Sequence, residues 1–345
     1  MLQGMGANTH RGVVVCSVRN AWRTAFWNPM TPAGGKSWRE HFTTEEIRGL
    51  RVIRAHRAWL TLLVNYGLIA ASMALVAYVP NFVTVVLALC VIGARQLGLA
   101  VVMHESAHHT LFENRRLNDF VGNWLAGYPI YLSADMYRAH HLEHHAKTWT
   151  EGDPDLPLAT PFPVSRRSMF RKVMRDLLGI TGLKQLIGTT YLAVQVLRGK
   201  PVNSGTLPLR LERAPVIRML VGTTVTNLML FGLLWALGHP TLYLLWLGAW
   251  LTTNKLVARI RSIAEHAVVP DPKEPLGQTR TVLAGPLERL FIAPNLVQYH
   301  LEHHLLMTVP HYNLARFHQM LRERGLIDHA CVAESYIQVM RQAVL

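Results

Sequence analysis

With 345 residues, 50% hydrophobic content and a formal charge of +14, the chain combines apolar bulk with strong basicity. That pairing is uncommon in soluble globular proteins and is expected of a membrane protein with basic cytosolic parts. Three cysteines, Cys16, Cys90 and Cys331, stand far apart without a CxxC pair, which excludes a disulfide framework, a zinc ribbon and a cysteine-ligated iron–sulfur cluster.

The first forty residues carry Arg11, Arg19, Arg23, Lys36 and Arg39 with no acid before Glu40. This is superficially the composition of an organelle transit peptide, but Pro29, Pro32 and Gly34-Gly35 favour a flexible arm. Thr43-Thr44-Glu45-Glu46 is a helix start. Arg48, Arg51, Arg54 and Arg57 follow at near-helical spacing, a positive flank suited to lipid headgroups or to solvent. Residues 1–57 are read as a basic cytosolic arm and 58–345 as the membrane domain.

Trp59 to Val79 is apolar, and about 20 residues at 1.5 Å each cross a bilayer core. Pro80-Asn81 turns the chain, and a second span runs over 82–103. Arg95 interrupts that run; if it snorkels to the interface, His104 stands roughly 13 Å beyond it in the cytosol. Asp119 to Ser133 is apolar but short, with Gly122, Gly127 and Pro129, and is expected to lie in the interface. Tyr137 to Arg213 reads as polar, basic and cytosolic, with Arg166-Arg167, Arg171-Lys172 and Arg175. A third span covers 218–237 and a fourth 241–257; Asn254 and Lys255 at its end and Arg259 and Arg261 beyond it precede His266 much as Arg95 precedes His104.

The turns after spans one and three lack Lys and Arg, so the positive-inside rule places both termini and every histidine cluster on the cytoplasmic side. The expected fold is an all-α membrane protein. It has about four transmembrane helices in two hairpins, with interfacial and cytosolic cap helices carrying the histidines. Pro310 to Leu345 closes it as an amphipathic helix and tail.

The 18 histidines are not scattered. His141-Leu142-Glu143-His144-His145 recurs letter for letter at His300-Leu301-Glu302-His303-His304, and His104-Glu105-Ser106-Ala107-His108 adds an i, i+4 pair. Positions i, i+3 and i+4 share one helix face, so each pentapeptide aims three ring nitrogens at a common point. A zinc site closes at about four ligands, so this many imidazoles points to two metal ions, and imidazole suits iron, copper, zinc and nickel. The HExxH pattern of zinc proteases also fits residues 104–108 but leaves the other boxes unused. A metal transporter would hold its ligands at membrane depth rather than beyond the spans.

These residues resemble the integral-membrane fatty acid desaturases and their hydroxylase relatives, a family with three histidine boxes. HESAHHTLF from His104 fits the first box, with His109 where glycine is common. HLEHHAKTWTEGDPDL from His141 fits the second, including Asp153-Pro154-Asp155, with His140 as an extra neighbour. NLVQYHLEHHLLMTVPHYNLARFH fits the third, with Pro310, Tyr312, Asn313 and His318 like the family's tail. RSIAEH sets His266 at the family's additional ligand position. Gln298 and Asn295, near the place where asparagine is frequent, are not assigned as ligands. The resemblance covers Trp59 to the C-terminus.

The resemblance implies two non-haem iron ions held by His104, His108, His141, His144, His145, His266, His300, His303 and His304. It implies O2-dependent desaturation of a fatty acyl chain carried as acyl-CoA, on acyl-carrier protein or in a lipid. Hydroxylation of an alkane, carotenoid or lipid is the alternative within the same superfamily. No appended cytochrome, cluster motif or dinucleotide fingerprint is visible, so an external electron donor such as ferredoxin or a b-type cytochrome is expected. The other partner is the lipid bilayer, and no nucleic acid is expected. Glu105, Glu143, Glu265 and Glu302 each adjoin a ligand, and some of them are read as acceptors that orient imidazoles rather than bind iron, the alternative being acids that face solvent. The basic stretch Arg166 to Arg175 suits an acidic donor, an acyl carrier or lipid headgroups.

Overall fold

The computed structural model describes residues 37–200 and 212–345. Residues 1–36 of the expected arm and 201–211 of the expected polar segment lie outside them.

Helix α1 (Thr44–Leu50) begins in a capping box: Thr43 Oγ1 accepts the Glu46 N–H at 3.2 Å, and the Glu46 carboxylate accepts the Thr43 N–H at 2.9 Å. This described part of the arm packs on the C-terminal region. Phe42, Ile47 and Leu50 share an apolar cluster with Leu301, Leu314 and Phe317, and Asn313 Nδ2 donates to the Leu50 carbonyl at 2.8 Å.

Helices α2 (Ala55–Tyr78) and α3 (Phe82–Ala107) form the first hairpin. Asn81 Oδ1 starts α3 by accepting the N–H groups of Val83 and Thr84 at 2.9 and 3.1 Å. After α4 (Arg115–Phe120) the chain passes through a π-helical turn, Val121–Gly127, and a 3-10 turn, Tyr128–Ile130. Helices α5 (Ala134–Lys147), α6 (Leu156–Ala159), α7 (Arg166–Leu177), α8 (Ile180–Leu197) and α9 (Arg213–Ala236) follow.

Three helical stretches are long and apolar enough to cross a membrane: Thr44–Tyr78, Phe82–Ala107 and Arg213–Ala236. They coincide with the first three expected spans. α3 is largely buried, whereas α2 and α9 expose Leu60, Leu63, Leu228 and Met229, as contact with lipid requires.

The expected fourth span, 241–257, is not one helix. It breaks at Thr252 (φ −116°, ψ −89°) into α10 (Tyr243–Leu251) and α11 (Thr253–His266). Docking on α3 accounts for the break: Thr253 Oγ1 donates to the Leu89 carbonyl at 2.5 Å and Asn254 Nδ2 to that of Gly93 at 3.2 Å. α10 alone rises only about 14 Å, half a bilayer core.

A second departure lies in the segment expected to be polar throughout. α7 and α8 together pass the same length and composition test as a pair bent by 67°, and α8 exposes Leu183, Ile187 and Tyr191. The cationic α7 masks an apolar helix directly behind it.

A short parallel pair, β1 (Thr281–Val282) with β2 (Val332–Ala333), ties the C-terminal cap together. Around it lie α12 (Pro286–Phe291), α13 (His300–Leu305), α14 (His311–Glu323) and α15 (Tyr336–Gln342).

Candidate metal centre

Four helices deliver the histidines. His104 and His108 lie at the end of α3, and His141, His144 and His145 share one face of α5. His266 ends α11, and His300, His303 and His304 make up half of α13. The boxes converge in two neighbouring groups. In the first, ligand atoms of His104, His108, His141, His145 and His303 all lie within 4.8 Å of one another. The second combines His144, His266 and His304, and His300 joins beside His266 and Glu265 within the same 4.8 Å limit. All nine expected ligand histidines are thus brought together.

The contacts between rings suit a cation better than hydrogen bonds. His145 Nε2 lies 3.0 Å from both His141 Nε2 and His303 Nε2, and His266 Nε2 lies 2.9 Å from His300 Nε2. One proton cannot serve three converging nitrogens, so a hydrogen-bonded reading leaves lone pairs facing each other. Ring nitrogens bound at about 2.1 Å to one ion and at right angles would stand about 3.0 Å apart. His108 Nε2, His303 Nδ1 and His304 Nε2 are buried with no hydrogen-bond partner among the described residues.

Burial disfavours the protonated form of seven of these rings. It pushes His108 and His266 down to about 3, and neighbouring histidines add to the effect. His141, His145, His300, His303 and His304 are likewise lowered well below the ordinary histidine range, first by burial and then by the surrounding rings. Neutral imidazole is the form that binds metal.

Carboxylates surround the rings unequally. Asp153 Oδ1 pairs with His144 Nδ1 at 2.8 Å, and Asp153 is itself held by the N–H groups of Trp149 and Asp155, both at 2.9 Å. Glu105 Oε1 lies 3.7 Å from His104 Nδ1; its Oε2 accepts the His311 N–H at 2.8 Å and the Thr110 hydroxyl at 2.9 Å. Glu265 Oε1 lies 3.5 Å from His300 Nδ1, while Oε2 pairs with Arg261. Burial raises the Glu265 carboxyl to about 7, against the pull of that arginine. Glu302 touches none of the nine rings; it binds His318 Nδ1 at 2.6 Å and the Thr281 hydroxyl at 2.5 Å. Glu143 turns outward and pairs with Lys147.

A cavity of about 400 Å³ adjoins the histidines, within the usual size for a small-ligand site. Leu97, Ala100, Ile130, Leu132 and Trp250 supply its apolar wall, and His104, His141, His144 and His266 also line it.

The model for the family described as fatty acid desaturase matches residues 80–332. The chain belongs to the fatty acid desaturase family. It is similar to the dihydrorhizobitoxine desaturase of Bradyrhizobium elkanii, 28% identical over 242 residues that cover 66% of this chain and 65% of that protein. A shorter likeness, 45% over 73 residues, links it to the Delta(5) fatty acid desaturase fat-4 of Caenorhabditis elegans and covers 20% of this chain and 15% of that one. Each match thus covers less than two thirds of the relative's length.

The HExxH stretch is placed among further histidines rather than alone. His104 and His108 stand among three further imidazoles, and Glu105 is engaged by His311 and Thr110 rather than open to a water molecule. The two extra histidines stay outside the groups: His109 Nδ1 meets Asn118 Nδ2 at 3.2 Å, and His140 pairs with Asp155 at 3.0 Å. Asn295 bonds to Asn65 and to the Gly98 carbonyl. Gln298 is buried, and its side-chain amide has no partner among the described residues.

Sequence reasoning did not assign three supports: Asp153 on His144, Tyr137, whose hydroxyl lies 3.0 Å from His141 Nδ1, and His318 on Glu302. The Asp153-Pro154-Asp155 tripeptide was the available signal for the first.

Proposed function

We propose that this chain is an O2-dependent desaturase that introduces a C=C bond into a fatty acyl chain at a di-iron centre held by the nine box histidines. The convergence of those rings in two adjoining groups is the observation that carries the reading. Nitrogen-only donors of this kind accept iron without thiolate ligation. Bound there, iron would supply O2 activation and removal of hydrogen from an unactivated C–H bond.

The chain's own residues do the positioning. Asp153 accepts the Nδ1 proton of His144, which leaves Nε2 as the donor atom. Tyr137 and Glu105 stand against the outward nitrogens of His141 and His104. The apolar wall of the cavity keeps water from the hydrocarbon. Alignment of the chain within about an ångström then decides whether a second, neighbouring hydrogen is lost.

The electrons come from an external donor, a ferredoxin or a b-type cytochrome, reaching the cytoplasmic face on which the termini and the centre lie. Residues 58–345 form the desaturase domain and 1–57 its basic N-terminal extension. The cationic α7 is the surface best suited to an acidic donor.

The test is expression in a host with simple saturated lipids, alongside His144→Ala, with total fatty acids analysed by mass spectrometry. New double bonds that vanish in the variant support the reading. Hydroxylated products would replace it with the hydroxylase outcome.

A further inference from the structure

The cavity beside the histidines is not apolar throughout. Along α11 it is lined by Lys255, Ala258, Ser262, Glu265 and His266, positions at i, i+3, i+7, i+10 and i+11 that fall on one helix face. That face runs for about 16 Å from the histidines to a lysine. The cavity also reaches Leu158 and Gln185, both exposed.

The charged groups lining the cavity are paired, with one exception. Arg261 is held by Glu265 at 2.6–2.7 Å, and Asp155 is held by His140 at 3.0 Å. Lys255 has no carboxylate within 4.0 Å among the described residues. Asp176, at the end of α7, is engaged by Arg259 through bonds of 2.5 and 2.8 Å.

The Lys255 ammonium lies 3.8 Å from the centre of the Trp250 ring and 3.2 Å from Asn254 Oδ1. Both supports are fixed. Trp250 is buried, with Nε1 donating to the Ile130 carbonyl at 2.9 Å, and Asn254 is bonded to Gly93 on α3. An ammonium has three donors, and among the described residues only one is used. A cation desolvated against an apolar wall with no counter-charge in contact is costly, and an incoming anion would offset that cost.

We propose that Lys255 is the anion-binding residue of this cavity. The substrate is an amphiphile whose own oxyanion, a carboxylate or a phosphate, sits at Lys255 while its hydrocarbon follows α11 to the histidines. The proposal rests on the desaturase reading for what happens at the histidines, but binding at Lys255 is measurable without turnover.

Full-length protein in neutral detergent is titrated with dodecanoate, methyl dodecanoate and dodecyl phosphate, with binding read by native mass spectrometry. Wild type should favour at least one of the two anions over the ester by about tenfold or more, the contribution of one charge-assisted hydrogen bond. The stronger anion identifies the source of the oxyanion. Lys255→Met should erase the preference, and Lys255→Arg should keep it, which separates loss of charge from loss of fold. Equal binding of all three probes by wild type, or a preference unchanged in Lys255→Met, would overturn the proposal. His144→Ala should retain the preference; if it does while the lipid profile of the wild type shows no new double bond, the desaturase reading fails and this one stands. Double bonds formed by a wild-type protein without the preference would overturn the role of Lys255 and leave the desaturase reading standing.

Discussion

His144 Nδ1 and Asp153 Oδ1 meet at 2.8 Å, with both residues buried. A bond in that position fixes the ring's tautomer and its orientation at once. Asp153→Asn keeps the shape but removes the charge, and its amide can turn an N–H toward the nitrogen that needs an acceptor. We expect metal affinity to fall about 10–100-fold, measured as iron retained after graded chelation. Full retention would show that His144 needs no such support.

Two kinds of histidine stand side by side in this chain, and they should separate cleanly. His145 faces His141 and His303 at 3.0 Å each, so His145→Ala should deplete bound iron and abolish product. His109→Ala and His140→Ala should leave iron content at the wild-type level, because neither ring enters a group. Loss of iron in His140→Ala would place the Asp155 pair inside the site.

Identical pentapeptides need not place identical residues alike. Glu302 is fully buried between His318 and Thr281, whereas Glu143 lies on the outer side of α5 with Lys147. Glu302→Gln presents a donor where two donors already point and should cost about 1–3 kcal/mol. Glu143→Gln should stay within about 0.5 kcal/mol. Thermal unfolding of the two variants in detergent decides the matter; equal shifts would contradict the asymmetry.

That asymmetry marks where sequence reading succeeds and where it stops. The i, i+3, i+4 spacing of the boxes is a local property of a helix, so convergence of His141, His144 and His145 was legible before any fold was known. Asp153 lies beyond the end of α5 and reaches His144 only because the chain doubles back, which no helical period records. Continuous hydropathy over 241–257 concealed the break at Thr252, which arises from side-chain contacts to α3. In the same way, the arginines of α7 concealed the apolar α8. Spacing reports what one helix does alone, whereas partners across helices require the fold.

The neutral rings also set a pH dependence for the metal-free chain. Burial holds His108 and His266 at about 3, against about 6.5 for an unfolded histidine. Between those values the unfolded chain binds protons that the folded chain does not, so stability rises with pH. It is complete above about 6.5 and is lost progressively as pH falls toward 3. Chelator-stripped protein should therefore show a melting temperature that is level from pH 7.5 to about pH 6.5 and drops from there to pH 5. A flat profile would mean that the rings are already protonated or solvated in the folded state.

Gly93 lies at a close approach of α3 and α11. A Cβ there would stand 2.2 Å from Thr253 Oγ1 and 2.8 Å from the Asn254 backbone nitrogen. The hydroxyl could rotate away only by giving up its bond to the Leu89 carbonyl, and the backbone cannot move without shifting the helix. Gly93→Ala should therefore cost about 1–3 kcal/mol, as overpacking does. It should also displace the start of α11, and with it the register that sets His266 beside His300 at 2.9 Å. The expected result is a lower melting temperature together with weakened iron retention. Gly67→Ala, on α2 with nothing within 4 Å of its added methyl, should lower neither. If Gly93→Ala matched that control, the close approach of the two helices would not be what seats His266.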